Sequence, residues 1–360
     1  MWRHRARRGR LSPRSRARSP GPPPVREDAG VLTAELPVAL RDAVRRMLRP
    51  GASGVAAAAA LSERYRDAGA APGPRARSRE EVAAYAVTRL PATFAAVGAT
   101  LAELRLRSPA FAPRSQLDLG AGLGAAVWAA AGVWPSLEQT TAVELEPAML
   151  AAGRDLSGAG PPAVARSTWL RADVGRDPVQ GSFDLVTIAY VLNELDPDAV
   201  SRVVERAWAA TSGALAIVEP GTPAGYRLIL AARERLLALG GFTVAPCPHD
   251  RPCPLGERDW CHFAVRLPRS PEHRAAKGAR VGHEDEKFSY VVIAREEVAR
   301  TPVRILRHPQ VRGGHVRLEL CAEDGLHSVV VSKRDREAFR EARKASWGDG
   351  IARPAAATSP

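Results

Sequence analysis

The sequence predicts an α/β domain with a mainly parallel sheet, preceded by a helical region and followed by a cysteine-rich loop and a small β extension. Three observations carry this prediction. Beyond Pro113 short apolar runs alternate with helical stretches, the pattern of strands joined by crossover helices. A glycine-rich stretch, Asp118-Leu-Gly120-Ala-Gly122-Leu-Gly124, separates the first such run from the first such helix. The chain has four cysteines in 360 residues, and Cys247, Cys253 and Cys261 share one fifteen-residue window.

Residues 1–30 read as a basic arm. The first 26 carry nine arginines, no acid and a Pro-Gly-Pro-Pro-Pro run, too little apolar surface to fold, so disorder is expected. An organelle transit peptide, a mis-assigned start codon and an RNA-binding tail are all compatible with this composition. Residues 31–112 read as helical. The alanine-rich run Val55 to Leu61 is far shorter than the roughly 20 residues of a membrane span and reads as a soluble helix, and nothing suggests a span elsewhere. Ser78 with Glu81 forms a capping-box start for a helix through Val82, Tyr85, Ala86, Arg89 and Leu90, which Pro91 should kink or restart.

Residues 113–245 carry the expected strands Gln116 to Leu119, Thr141 to Glu144, Trp169 to Arg171, Phe183 to Ala189 and Ala214 to Glu219, then an amphipathic helix between Tyr226 and Leu239. Residues 246–300 hold the cysteine window and two more strands, Phe263 to Leu267 and Phe288 to Ala294. Residues 301–346 read as a small antiparallel element, Val303 to Val331 with a Gly313-Gly314 turn, and a charged helix, Arg334 to Ala345. Residues 347–360 form a tail.

Glycines between a strand and a helix let a ligand approach the backbone, so a nucleotide-like cofactor is expected at the loop. The pattern differs from the Gly-x-Gly-x-x-Gly fingerprint that seats a pyrophosphate. A carboxylate at the mouth of the loop, Asp118, would repel a pyrophosphate and attract the ammonium and sulfonium charges of S-adenosylmethionine (SAM). A nicotinamide cofactor is the runner-up. Glu144 ends the second strand, where an acid accepts ribose hydroxyls, and Asp173 follows the third, where a carboxylate meets an adenine amino group. Tyr190, Asn193, Glu194 and Glu219 are the candidates for orienting an acceptor, and strand-end or helix-cap roles explain them equally well. The fourth strand has no Asn-Pro-Pro-Tyr type tetrad, and no nucleophilic cysteine lies near it.

The net charge of +13 points to an acidic partner, with nucleic-acid phosphates the simplest. The charge is nearly all arginine, which beside abundant alanine also fits a GC-rich genome. Four cysteines without a secretory signal favour metal or redox chemistry in a reducing compartment. Cys-x5-Cys-x7-Cys plus Cys321 is not a common zinc-knuckle spacing. Four thiolates hold either zinc or an iron-sulfur cluster, and His249 and His262 leave a mixed zinc site open. Strand alternation puts Val316, Leu318 and Leu320 on one face and Cys321 on the other, so the site would tie the loop to the small β element.

With Cys247-Pro-His-Asp-Arg-Pro-Cys253-Pro, Trp260-Cys261-His262-Phe263, Lys287-Phe-Ser-Tyr-Val, the glycine loop and Asn193-Glu194, the chain resembles the small-ribosomal-subunit methyltransferase-like family from about Tyr85 to Asp349. The resemblance implies a class I SAM-dependent methyltransferase (Rossmann-like) fold and association with the small subunit and its rRNA during assembly. It also implies a 4Fe-4S cluster on Cys247, Cys253, Cys261 and Cys321, and a SAM site lined by Asp118, Gly120, Gly122, Glu144 and Asp173, with Gly124 completing the loop. The expectation leans to an active rRNA methyltransferase, monomeric off the ribosome and cytoplasmic, with the mitochondrial matrix as the alternative compartment. A non-catalytic assembly factor and a small-molecule methyltransferase with a four-cysteine zinc site are the competing readings.

Overall fold

The computed structural model describes residues 34–48, 76, 78–178 and 180–352. The arm, the run Val55 to Leu61 and the end of the tail lie outside these residues. The helical region comprises α1 (Val38–Met47), α2 (Arg79–Thr88) and α3 (Leu90–Arg107). The capping box at the start of α2 forms as expected: Ser78 Oγ accepts from the Glu81 N–H and Glu81 Oε2 from the Ser78 N–H, each at 3.2 Å. The helix stops at Arg89 and α3 restarts with Pro91 in its first turn, at a bend of 45°. No single described helix is long and apolar enough to cross a membrane. The bent α2–α3 pair passes by length and composition alone, and its Val82, Leu90, Phe94, Leu101 and Leu104 side chains lie in the core.

The α/β part follows as β1 (Ser115–Leu119), α4 (Ala125–Val133), β2 (Gln139–Glu144), α5 (Pro147–Ser157), α6 (Pro162–Ala165), β3 (Thr168–Arg171), β4 (Phe183–Ala189), α7 (Pro197–Ala209), β5 (Thr211–Pro220), α8 (Pro223–Ala238), β6 (Phe242–Ala245), β7 (Phe263–Pro268), α9 (Pro271–Lys277) and β8 (His283–Ala294). The sheet order is β3-β2-β1-β4-β5-β8-β6, with β7 added along the outer half of β8. Strands β1 to β5 are parallel, and β8 runs antiparallel to both β5 and β6. This is a doubly wound, Rossmann-like sheet whose order reverses between β1 and β4, the place where such folds take ligands. Alternation along β5 explains the two layers. Ala214, Ala216 and Val218 join the core under α3 and α4, whereas Leu215 and Ile217 face Val203, Trp208, Ile229 and Leu236 of α7 and α8.

Three elements of the α/β part differ from the sequence expectation. Strand β6 was not expected, because four residues between Gly240-Gly241 and Pro246 carry too short a pattern. Helix α9 was likewise hidden in a charged stretch. Strand β8 begins at His283, five residues before Phe288, because its charged outer half is held by β7, with Arg266 paired to Asp285 at 2.7 Å.

A second sheet contains β9 (Val303–Ile305), β10 (Gln310–Val311), β11 (His315–Ala322), β12 (Gly325–Ser332) and β13 (Gly350–Ile351), ordered β10-β11-β9-β13 with β12 along β11. The Gly313-Gly314 turn joins β10 to β11. Helix α10 (Arg336–Lys344) covers this sheet through Phe339 and Ala342, which pack with Val316, Leu318 and Leu320.

Arg304 on β9 ties the two sheets together. It is 1% exposed; its Nε donates to the Pro246 carbonyl at 2.9 Å, and its Nη1 donates to Glu103 Oε2 of α3 at 3.0 Å and to the Gly348 carbonyl at 2.6 Å. Removing one member of a buried charge pair costs about 3 kcal/mol or more, because the partners stay behind unpaired. Arg304→Met should therefore lower urea-unfolding stability by about 3 kcal/mol. A change below about 0.5 kcal/mol, the range of ordinary surface substitutions, would remove Arg304 from this role.

Candidate cofactor cavity and thiol cavity

The glycine loop opens onto a cavity of about 540 Å³ at the switch between β1 and β4. Gly120, Gly122, Glu144, Asp173, Tyr190 and Glu194 line it, and Tyr85 of α2 and Met149 of α5 close its sides. Gly120 has φ +73°, and a Cβ there would stand 2.3 Å from the Val191 side chain, so glycine is needed for the loop to lie against the end of β4. Glu144 organises the loop: its Oε2 accepts from the Gly122 N–H and its Oε1 from the Glu146 N–H, both at 2.8 Å. Burial holds this carboxyl above its ordinary pKa despite those bonds. Asp173 Oδ1 accepts from the Gly175 N–H at 2.9 Å, and Oδ2 pairs with Arg176 at 3.5 Å.

Two loop residues lie away from the cavity. Asp118, expected at the mouth of the loop, is 2% exposed inside the sheet, where its Oδ1 accepts from the Thr187 hydroxyl of β4 at 2.7 Å. Burial raises its pKa to about 7. Asp118 turns inward because β1 and β4 are neighbours and it is in register with Thr187. Gly124 caps α4 with φ +84° and backs onto the Trp169 ring, so it serves packing between helix and strand.

The four acceptor candidates separate in the same way. Glu219 is fully buried under the loop after β4; its Oε1 accepts from the Val191 N–H at 3.1 Å and the Leu192 N–H at 2.8 Å. The Asn193 amide nitrogen donates to Glu219 Oε2 at 3.2 Å and to the Tyr190 carbonyl at 3.1 Å. Glu219 and Asn193 thus shape the loop and do not line the cavity. Tyr190 lines it with a left-handed backbone, φ 60°, and its hydroxyl donates to Glu286 Oε1 of β8 at 2.8 Å. Strain of this kind in a non-glycine residue costs about 1–3 kcal/mol and recurs at functional sites.

The four cysteines meet. Cys247 after β6, Cys253 in the loop, Cys261 before β7 and Cys321 on β11 all line a cavity of about 40 Å³ with Tyr226, Arg233, His249, Tyr290 and Arg304. Cys321 is 7% exposed and faces away from the Val316–Leu318–Leu320 layer, as alternation requires. The Tyr226 hydroxyl donates to Cys253 Sγ at 3.0 Å, and His249 Nε2 is 3.8 Å from Cys321 Sγ. Burial first, and neighbouring thiols second, push Cys261 well above the ordinary thiol pKa and Cys321 up to about 12. His262, the other histidine of the mixed-zinc expectation, does not reach this cavity; its ring stacks on Trp260 at 5.2 Å. Among the described residues no three His, Cys, Asp or Glu side chains converge as ligands of one ion.

Arg233 and Arg304 were not singled out in the sequence. Arg233 is 2% exposed and donates through Nη2 to the carbonyls of His249 at 2.6 Å and Arg251 at 3.1 Å. Its Nε, and the Nη2 of Arg304, are buried without an oxygen or nitrogen acceptor, and the Arg233 guanidinium stands beside the Cys247 thiol and favours its thiolate. Unpaired buried donors are rare, and beside four thiols they fit an electron-rich group held by those sulfurs. The donor set therefore suits an all-cysteine cluster whose negative charge two guanidiniums would offset.

Burial also raises the Glu219 carboxyl from 4.5 to about 8. A carboxyl with a raised folded pKa binds its proton more tightly in the folded chain, so its contribution is complete below pH 4.5 and is lost as pH rises through about 8. Wild-type stability relative to Glu219→Gln should thus be smaller at pH 8 than at pH 5 in urea unfolding. An identical difference at both values would show that Glu219 is ionised throughout.

The family model described as "Mitochondrial small ribosomal subunit Rsm22" matches residues 79–352. The human "Ribosome assembly protein METTL17, mitochondrial" is 36% identical over 286 residues, covering 74% of this chain and 61% of that protein. The "Rsm22-cox11 tandem protein 2, mitochondrial" of Schizosaccharomyces pombe is 27% identical over 327 residues, covering 76% of this chain and 43% of that protein. The chain thus spans 61% or less of the length of these relatives. Magnesium protoporphyrin IX methyltransferase from Synechocystis superposes with a TM-score of 0.36 at 11% identity, over 65% of this chain and 94% of that one, too loosely to bear on chemistry. On the family match across its α/β core, cysteine loop and small sheet, the chain belongs to the mitochondrial small ribosomal subunit Rsm22 family.

Proposed function

We propose that this chain acts in assembly of the small ribosomal subunit as a SAM-binding, rRNA-facing protein of methyltransferase fold, with a 4Fe-4S cluster on Cys247, Cys253, Cys261 and Cys321. The observation that carries the cofactor reading is the convergence of Gly120, Gly122, Glu144 and Asp173 on one cavity of about 540 Å³, within the roughly 300–1,000 Å³ of small-molecule sites. Glu144 would accept the ribose hydroxyls with the lone pairs left by its two backbone bonds. Asp173 would meet the adenine amino group, and the Gly120–Gly122 backbone would border the methionine part. Asp118, 2% exposed beneath the loop with its pKa raised to about 7, would act on the cofactor's positive charge through the field alone, and only in its ionised form. Bound SAM supplies an electrophilic methyl group.

The thiol cavity supports a cluster over zinc. Guanidinium donors without an acceptor belong to two arginines in its wall, and they would offset the negative charge of a thiolate-bound cluster. A cluster there would join the cysteine loop to β11 and serve as a clamp. The relatives are named as mitochondrial and as ribosomal or ribosome-assembly proteins, which supports the matrix alternative over the cytoplasmic expectation.

The acceptor side supports assembly as the primary role, because Glu219 and Asn193 are engaged in shaping the loop after β4. Methyl transfer to rRNA is the second reading, favoured by the strained Tyr190 in the cavity wall. One experiment separates them. Glu144→Ala should weaken SAM binding about tenfold or more in calorimetry, the scale of a lost hydrogen bond to a charged group. Expressed in a deletion strain, it should restore small-subunit maturation as the wild type does, with rRNA methylation unchanged by mass mapping. Loss of one rRNA methyl mark in the deletion, restored by the wild type and not by Glu144→Ala, would establish transfer instead.

A further inference from the structure

Six cations line one groove of about 960 Å³ along α10: Lys333, Arg334, Arg336, Arg340, Arg343 and Lys344, with Phe339 at its floor. All six are exposed, and none forms an ion pair with a described residue. The acids of the same helix are placed elsewhere. Asp335 caps it, its Oδ1 accepting from the Ala338 N–H at 3.0 Å, and Glu337 and Glu341, four residues apart, share a different face. Arg336, Arg340 and Arg343 follow the i, i+4, i+7 spacing that keeps side chains on one side of a helix. Cations gathered on one face without partners repel one another, so the arrangement calls for an anion supplied from outside.

We infer that this groove is the surface on which the chain grips the phosphate backbone of small-subunit rRNA; the inference rests on the proposed ribosomal role and assigns the contact to α10. Guanidinium forks match phosphate oxygens in geometry, so the arginines of this groove suit a phosphate backbone. Three arginines over about 10 Å of helix meet roughly three phosphates of one strand. The apolar side of α10 is already buried: Phe339 and Ala342 pack on the small sheet, and Arg343 lies over the Phe339 ring at 5.9 Å. No apolar face remains for a lipid surface, which an amphipathic membrane helix needs. The same packing fixes where the arginine stems leave the surface, so the spacing of the charges is set by the fold.

The test is fluorescence anisotropy of the full chain with a labelled small-subunit rRNA fragment, between about 50 and about 300 mM salt. The variant Arg336→Gln/Arg340→Gln/Arg343→Gln should bind at least tenfold more weakly at fixed salt. It should also lower the magnitude of the log-affinity against log-salt slope by about two to three, one for each lost phosphate contact. A control, Arg227→Gln/Arg258→Gln/Arg280→Gln, removes the same charge from exposed positions elsewhere and should leave the slope within about one of the wild type. Wild-type binding with an unchanged slope in the α10 variant overturns this surface and leaves the rRNA reading intact. An equal loss in the control overturns the surface as well, because bulk charge then accounts for binding. Absence of wild-type binding at the lowest salt overturns both.

Discussion

Two guanidiniums in the interior, Arg304 and Arg233, set the arrangement on which the rest of this molecule depends. A buried arginine is costly unless most of its donors are met, and Arg304 meets acceptors from three places in the chain: Glu103 on α3, Pro246 after β6 and Gly348 before β13. Helical region, main sheet and small sheet are thereby held to one centre. Arg233 does the same for the cysteine loop through the carbonyls of His249 and Arg251. Each arginine keeps one buried N–H without an acceptor, and both border the cavity that the four thiols share.

The cofactor cavity and the thiol cavity belong to one framework. Strand β8 links them: Glu286 takes the Tyr190 hydroxyl, and the Ser289 hydroxyl donates to the Cys261 carbonyl at 2.8 Å. The small sheet that supplies Cys321 also supports α10. A cluster at the thiols would therefore fix the cationic groove relative to the α/β core, and a structural group would then serve the proposed RNA contact without any chemistry of its own.

Much of this was legible in the sequence where the signal is local. The strands β1, β4 and β5, the turn between β1 and α4, the capping box at Ser78 and the break at Pro91 each depend on residues within a few positions of one another. The convergence of the cysteines could be expected from their clustering, and alternation along β11 set the facing of Cys321. What was not legible depends on partners far apart in the chain. Asp118 leaves the mouth of the loop because Thr187 stands across from it on β4, sixty-nine residues away. Arg233 and Arg304 carry no local signal, because the fold brings carbonyls to them from other segments. The short β6 and the charged half of β8 exist because a neighbouring strand completes their hydrogen bonds, which periodicity along one segment does not record.

What the four thiols hold decides how the two sheets are clamped. It is measured most directly by the metal and acid-labile sulfide content of the full chain purified without oxygen, with its visible absorption and a Cys321→Ser variant alongside. A cluster gives about four irons and about four sulfides per chain, a broad visible band, and loss of both in the variant. One zinc per chain, no iron and a colourless protein would contradict the cluster.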